Sequence, residues 1–331
     1  MISATARCRV DLAGGTLDIW PIGLLHAGSS TINVAVDLRV RARLAVSDSG
    51  YRVRQGGVEV RAESIAELVA HPETALCGLV VELHDLPPVA IELASASPRG
   101  AGLGASSALA IALLAAAETW RHGREVETPL VRAAIARDLE ARLMGLPTGL
   151  QDHLPGQLGG ALAIDHRPGG ERVRRLAVDL EQLAARLVVA YTGQSHFSAG
   201  ANWSVLRRRF ERDADVVARF DAIRDVTREM PAALESADWP RVGELVGLEW
   251  QARRGLAPEV STPKLEELLE LAVGAGAWGG KACGAGGGGS LAVLVAPERR
   301  AAVESTWRAA GAELLPAPPT ARTLEIVRES N

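Results

Sequence analysis

SPRGAGLGASSALAIALLAA, residues 97–116, runs Gly100, Gly102 and Gly104 and the adjacent serines 106 and 107 straight into an alanine- and leucine-rich segment. A helix that starts here presents unpaired backbone N–H groups and the positive end of its dipole. Glycines without side chains let a bulky oxyanion come up to that backbone. Ser106 and Ser107 add hydroxyls able to meet a phosphate or Mg²⁺. The same letters also describe a tight strand-to-helix turn with serine caps, so the rest of the chain has to decide between the two.

The chain has 331 residues, 47% hydrophobic and 23% charged, enough for two cored domains. Its formal net charge of −4 lacks the basic excess of a nucleic-acid protein. Cys8, Cys77 and Cys283 are far apart and form no zinc pattern, which fits a reducing cytoplasm. The N-terminus has no apolar signal core, and no run is long and apolar enough to span a bilayer. These features predict a cytoplasmic protein with no nucleic-acid or membrane partner.

Alternation predicts strands over 7–13 and 31–46, a hairpin over 51–62 turning at Gly56-Gly57, and a strand over 88–95. Helical spacing predicts helices over 64–70, 105–121 and 129–144, the second of these apolar nearly all round and therefore buried. Strands follow at 159–165 and 186–192. Residues 200–255 read as charged amphipathic helix, interrupted at Pro231 and at Asp238–Pro240. A helix with a capping box formed by Thr262 or Ser261 and Glu266 covers 261–276. GGKACGAGGGG reads as a loop, before a strand at 290–296, a helix over 297–311 and two short terminal strands. The expected division is 1–180 and 181–331.

Two familiar glycine motifs fail on context. Gly280-Lys281 is followed by Ala282, so it is not a Walker loop. Gly284, Gly286 and Gly289 have G-x-G-x-x-G spacing, but a strand follows where a dinucleotide site needs a helix. Three other stretches carry the chemistry that a phosphate loop would need. RCRVDLAGGTLDI (7–19) holds Arg9 and Asp18. LEARLMGLPTGLQDH (139–153) holds Glu140 and Asp152. GGKACGAGGGGSL (279–291) is a second glycine loop.

Taken together, these stretches resemble the GHMP family of small-molecule kinases. Residues 97–116 are similar to its ATP motif P-x-x-x-G-L-G-S-S-A-A through Pro98, Gly102, Leu103, Gly104, Ser106, Ser107 and Ala108, with Ala105 departing from it. GGKACGAGGGG is similar to its C-terminal motif G-A-K-x-S-G-A-G-G-G-G, with Cys283 in place of a serine. Within the family, AGGTLDI, GLPTGLQDHLPGQLGGALAID and YTGQSHFSAGANW resemble the D-glycero-D-manno-heptose 7-phosphate kinase branch. There, Thr16-Leu17-Asp18 replaces Gly-Thr-Asp, His153 replaces a glutamine and His196 replaces an arginine. The last change removes a fixed positive charge: either the sugar carries no phosphate there or another base serves.

The resemblance implies an α+β fold of two domains, the first similar to ribosomal protein S5 domain 2 and the second ferredoxin-like. It also implies ATP and Mg²⁺ as cofactors. Asp152 would meet the acceptor hydroxyl, as base or aligner, with Arg9 beside it. Pro98, Gly100, Gly102, Leu103, Gly104, Ala105, Ser106 and Ser107 would bind ATP phosphates, and Ser107 and Glu140 would hold Mg²⁺. Gly15, Thr16, Asp18, Gln151, Thr192, Gly193, His196, Gly286 and Gly287 would line the acceptor site. Lys281 is read as either reaching phosphate or solvated, Trp20 as a pocket candidate, and Arg207-Arg208-Arg209 as a solvated face. The expected activity is ATP-dependent phosphorylation of a sugar or sugar phosphate, with D-glycero-D-manno-heptose 7-phosphate favoured and a homodimer as a possible assembly. The alternatives are another GHMP substrate (galactose, fucose, mevalonate, homoserine) and a non-catalytic nucleotide or sugar sensor. All the residues such a sensor would most cheaply lose are present.

Overall fold

The computed structural model describes residues 1–195 and 199–328, and for 199–202 the backbone alone. The predicted first strand is longer than its alternation suggested. β1 (Ile2–Ala13) is buried on both faces except at Thr5, so it reads as a continuous apolar run rather than a half-exposed strand. After the glycine turn come α1 (Ile22–Leu25) and β2 (Ser30–Val46), then the hairpin of β3 (Tyr51–Gln55) and β4 (Val58–Ala62). α2 (Ile65–Ala70) starts at Ser64, whose side chain accepts the Glu67 N–H. α3 (Ala75–Leu83), unpredicted, is nearly all apolar and gives no clear helical stripe. β5 (Val89–Ser95), α4 (Ala105–His122), α5 (Pro129–Met144), α6 (Pro155–Leu158), β6 (Ala161–Asp165) and β7 (Arg172–Arg175) complete this half.

These strands form one sheet in the order β1-β2-β5-β3-β4, with β6 also on β2 and β7 on β6. Every pairing is antiparallel except β3 with β5. α4 lies across β1 and β2, and its residues 107–119 are all buried, as its all-round apolar sequence requires. Its first residue, Ala105, therefore emerges directly beside the middle of β1.

The second half contains α7 (Leu180–Arg186), β8 (Leu187–Tyr191), α8 (Ala199–Phe210), α9 (Ala214–Glu235), α10 (Trp239–Arg253), α11 (Pro263–Gly274), β9 (Ala277–Ala282), β10 (Ser290–Val295), α12 (Arg300–Ala309) and β11 (Glu313–Leu314). Its sheet runs β11-β8-β10-β9, all antiparallel. Numbered within this half, that is strand order 4-1-3-2 in a β-α-β-β-α-β chain, the ferredoxin-like arrangement expected. A last strand, β12 (Glu325–Arg328), returns to the first sheet and pairs with β1.

Three local readings are corrected. Pro231 does not interrupt α9, which continues to Glu235; the buried Met230 and Leu234 on either side hold the helix against the core. The capping box at α11 is half formed. Thr262 accepts the Leu265 N–H, but Glu266 turns to the Ser261 hydroxyl, the Trp250 indole and Arg254. Residues 279–282, read as part of a loop, belong instead to strand β9, Ala277–Ala282. A side chain at Gly279 would strike the Gly243 carbonyl of α10, so a strand lies here where the composition suggested a loop.

Candidate active site

α4 begins at Gly104, which sits in the left-handed region at φ 70°, and no side chain caps its first turn. Its leading N–H groups are therefore left open to a ligand. The positive φ calls for glycine, and the space beside it is close to full. A methyl group there would press on Arg9 Cγ at 3.3 Å and on Asp152 Cβ at 3.4 Å. The glycine loop thus lies directly against the Arg9–Asp152 pair.

Arg9 donates to Asp152 Oδ1 through Nε at 2.9 Å and Nη2 at 2.6 Å, and through Nη1 to the Gly102 carbonyl at 2.6 Å. Its backbone N–H donates to the Leu103 carbonyl. Burial opposes the charge of Arg9, but Asp152 and Asp11 hold its pKa above the usual arginine value. The Asp152 side chain keeps 29% of its surface exposed, against 2% for Arg9, so the acid faces outward from a fixed base.

One helical turn into α4, Ser107 Oγ donates to both carboxylate oxygens of Glu140 on α5, at 2.9 and 3.1 Å. His153 Nε2 lies 3.1 Å from Glu140 Oε2. Ser106 is exposed, and Asp138 is on the surface beside Arg137. Among the described residues no group of three His, Cys, Asp or Glu could hold a metal. A serine oxygen and one carboxylate are a hard, sparse set that suits a cation taking its remaining ligands from phosphate and water.

Asp18 follows the glycine turn after β1 and is 6% exposed. Its Oδ2 accepts the Gln151 N–H at 3.0 Å, which places it beside Asp152. Burial, with the nearby Asp152 charge, pushes its pKa up to about 6. Gly149, unnoticed in sequence, makes room for it: a Cβ there would lie 1.7 Å from Asp18 Oδ2.

The two glycine loops meet backbone to backbone. The Ser290 N–H donates to the Ala101 carbonyl at 2.8 Å, and the Cys283 carbonyl abuts Gly102. Within the second loop, Gly284 and Gly289 are the glycines that face the phosphate loop, whereas Gly286 and Gly287 pack against Val260, whose carbonyl accepts the Gly287 N–H. The Thr192 hydroxyl donates to the Gly289 carbonyl and accepts the Gln194 N–H, so it braces this loop, with Gly193 beside it in open space. Cys283 is 1% exposed and its thiol, like those of Cys8 and Cys77, is pushed up to about 12 by burial. His196 lies outside the described residues. Trp20, read as a pocket candidate, is 72% exposed and so is not enclosed in a pocket. Of the basic run, only Arg207 is a solvated face; Arg208 bonds Asp213 and the Leu256 carbonyl, and Arg209 bonds His26.

Lys281 fits neither reading made from sequence. It is wholly buried, with Nζ 2.6 Å from Asp11 Oδ2 and 3.2 Å from Glu249 Oε2. Glu249 Oε1 also accepts from Arg253 Nε at 2.8 Å and from the Gly14 N–H at 3.2 Å. Arg253 in turn donates to the Gly15 carbonyl and the Thr16 hydroxyl. Burial would raise the pKa of Asp11 and of Glu249, but the cations around each hold both below the usual carboxylate range. Asp11, Glu249 and Arg253 were missed because their partners lie hundreds of residues away. The one available signal was Glu249 and Arg253 one turn apart on a helix.

The family model for the GHMP kinases N terminal domain matches residues 63–160, and that for the GHMP kinases C terminal region matches 230–313. The chain is 32% identical over 267 residues to a mevalonate kinase of Methanothermobacter thermautotrophicus, covering 78% of this chain and 81% of that protein. It is 29% identical over 345 residues to a galactokinase of Mycobacterium tuberculosis, covering 93% of both. Among solved structures, a D-glycero-D-manno-heptose 1-phosphate kinase from Bacteriodes thetaiotaomicron superposes with a TM-score of 0.77 over 100% of both chains, at 18% identity. At that identity the match speaks for the fold.

Proposed function

The chain belongs to the GHMP kinase family and is an ATP-dependent kinase, and on that premise we propose that it phosphorylates a hydroxyl of a sugar or sugar phosphate, D-glycero-D-manno-heptose 7-phosphate first among them. The observation that carries the reading is the outward-facing Asp152, clamped by a buried Arg9 against the start of α4.

In this reading Asp152 accepts or aligns the proton of the acceptor hydroxyl, and Arg9 fixes its orientation. Residues 98–107 cradle the ATP phosphates with the uncapped N–H groups of α4. Ser107 and Glu140 hold Mg²⁺, which when bound neutralises phosphate charge. Asp18 accepts hydrogen bonds from acceptor hydroxyls, and Gly15, Thr16, Gln151, Thr192, Gly193, Gly286 and Gly287 surround them; His196 belongs to the same proposal. The boundary between the two units stays near residue 180, with β12 as a tail returned to the first. The proposal includes a cytoplasmic location, supported by three unpaired buried cysteines and by the absence, among the described residues, of a helix long and apolar enough to cross a membrane. A homodimer is part of it, to be checked by sedimentation. The mevalonate kinase relative favours a second reading, a non-sugar alcohol as acceptor.

The test is ADP release with Mg-ATP against heptose 7-phosphate, heptose, mannose, fucose, galactose, mevalonate and homoserine, with Asp152→Asn as control. Turnover on a sugar or sugar phosphate, lost in the control, is expected. Turnover on mevalonate or homoserine alone would replace the sugar reading with the second one. ATP binding without turnover on any acceptor would overturn both.

A further inference from the structure

The loop that carries Asp18 has turn hydrogen bonds of its own, from the Leu17 and Ile19 N–H groups to the Gly14 and Thr16 carbonyls, but they leave one strained residue to be held from outside. Thr16 has φ 70°, the left-handed region that a β-branched residue avoids. Thr16 stands where the resembling branch writes glycine, the residue suited to this conformation. Strain of this kind persists only where the surroundings over-determine it. Here the surroundings come from the other half of the molecule. Arg253, at the end of α10, donates to the Gly15 carbonyl at 2.6 Å and to Thr16 Oγ1 at 3.1 Å. Glu249, one turn earlier, accepts the Gly14 N–H.

The holder is itself held. Glu249 joins Arg253 to Lys281, and Lys281 reaches Asp11. Asp11 Oδ1 accepts the Gly284 N–H at 2.8 Å, at the head of the second glycine loop. All four side chains are at most 1% exposed, and their charges cancel. A buried charge that is paired and hydrogen-bonded at each step sets geometry more than it adds stability.

We propose that Arg253 is a positioning residue for the acceptor: it fixes Gly15 and Thr16 so that Asp18 meets the substrate, and the chain Arg253–Glu249–Lys281–Asp11 links that loop to the second glycine loop. This rests on the reading of residues 14–18 as the acceptor loop. Arg253 touches no substrate; it acts through the backbone that it holds.

The deciding measurement needs no acceptor. Hydrogen exchange of the free full-length protein, read by mass spectrometry on a peptide covering residues 14–19, is compared for wild type, Arg253→Lys and Arg253→Met. The turn N–H groups of Leu17 and Ile19, bonded to Gly14 and Thr16 carbonyls, are expected to exchange about tenfold faster or more in Arg253→Met while α4 keeps its wild-type rates. Arg253→Lys, which retains the charge and part of the donor set, is expected to fall between. Should Arg253→Met fail to fold, Arg253→Met/Glu249→Gln removes both charges of the pair, leaves Lys281 on Asp11, and takes its place. Wild-type exchange at 14–19, or equal acceleration of α4, would overturn the proposal. With galactose and mevalonate as acceptors, the same variant should raise the acceptor KM by about tenfold with the ATP KM unchanged; equal shifts in both would overturn it. If the wild type turns over neither acceptor, the same KM comparison is made with heptose 7-phosphate, and the exchange result decides for or against Arg253 in either case.

Discussion

Arg9 and Asp11 are two residues apart on β1, and each anchors an ion pair that crosses to a distant part of the chain. The two pairs adjoin, Arg9 Nη1 lying 3.7 Å from Asp11 Oδ1, and they differ most in how far each is sealed from solvent. Asp152 leaves 29% of its side chain exposed opposite Arg9, whereas Lys281 and Asp11 are sealed at 0%. An exposed carboxylate with a fixed guanidinium behind it is open to a ligand's hydroxyl. A sealed pair can only hold its neighbours in place. One strand therefore contributes a pair open to a ligand, the one proposed to be reactive, and a sealed one, and the direction each partner faces sets them apart.

That contrast is sharpest when each pair loses one member. Asp152→Asn keeps an oxygen for Arg9 and is expected to lose about 10²–10⁴ in kcat, the worth of a positioned acid–base group. Its urea midpoint should move little. Lys281→Met leaves Asp11 with Arg9 at 3.7 Å and Glu249 with Arg253 as their remaining cations, and should cost toward the lower end of the about 3–5 kcal/mol of a wholly uncompensated buried charge. Urea unfolding beside steady-state kinetics separates the two. If Asp152→Asn unfolds as readily as Lys281→Met, or Lys281→Met folds normally and loses only turnover, the contrast is wrong.

Asp18 lies between these extremes, buried like Asp11 but with no cation bonded to it. Its pKa is raised from 3.8 to about 6. Between those values the native state holds a proton that the unfolded chain has released, so stability falls as pH rises through this window and levels off above it. The drop is about 3 kcal/mol. Asp18→Asn should abolish it, so the variant gains on wild type by about 2 kcal/mol between pH 4 and pH 7 while losing acceptor binding. In the wild type the acceptor KM should rise as pH falls below about 6, because a protonated Asp18 no longer accepts from two hydroxyls. A stability difference that is flat with pH would show that Asp18 titrates as an ordinary surface acid.

The reactive side of the comparison was legible in the sequence and the sealed side was not. Gly104, Ser107, Glu140 and Asp152 sit in short motifs whose spacing has a local cause: a helix start, a helix face, a loop after a helix. The structure brings these four together with Arg9 and Asp18. The sealed network has no local cause. Glu249 and Arg253 read as the polar side of an amphipathic helix, and only the packing of α10 against β1 and β9 turns that side inward. Lys281 read as a loop lysine because Gly279 and Gly280 suggested a loop. Those glycines instead let a strand lie close under α10. Secondary structure failed for the same reason at Pro231 and at α3, where tertiary burial overrode local preference.

The smallest expected effect bears on how the sealed side does its holding. If Arg253 over-determines the loop, the strain at Thr16 is already met, and easing it should gain little. Thr16→Gly removes the left-handed penalty of a β-branched residue, loses the bond from Arg253 Nη1 and adds freedom to the unfolded chain. These terms oppose one another, so stability should change by less than about 1 kcal/mol. The background then matters more than the substitution. In Arg253→Met the same Thr16→Gly change should help, because glycine needs no holder to stay left-handed, and residues 14–19 should recover part of their exchange protection. A Thr16→Gly effect of equal size in both backgrounds would mean that Arg253 and Thr16 act independently, and that the loop takes its shape from Gly14, Gly149 and the Asp18–Gln151 bond alone.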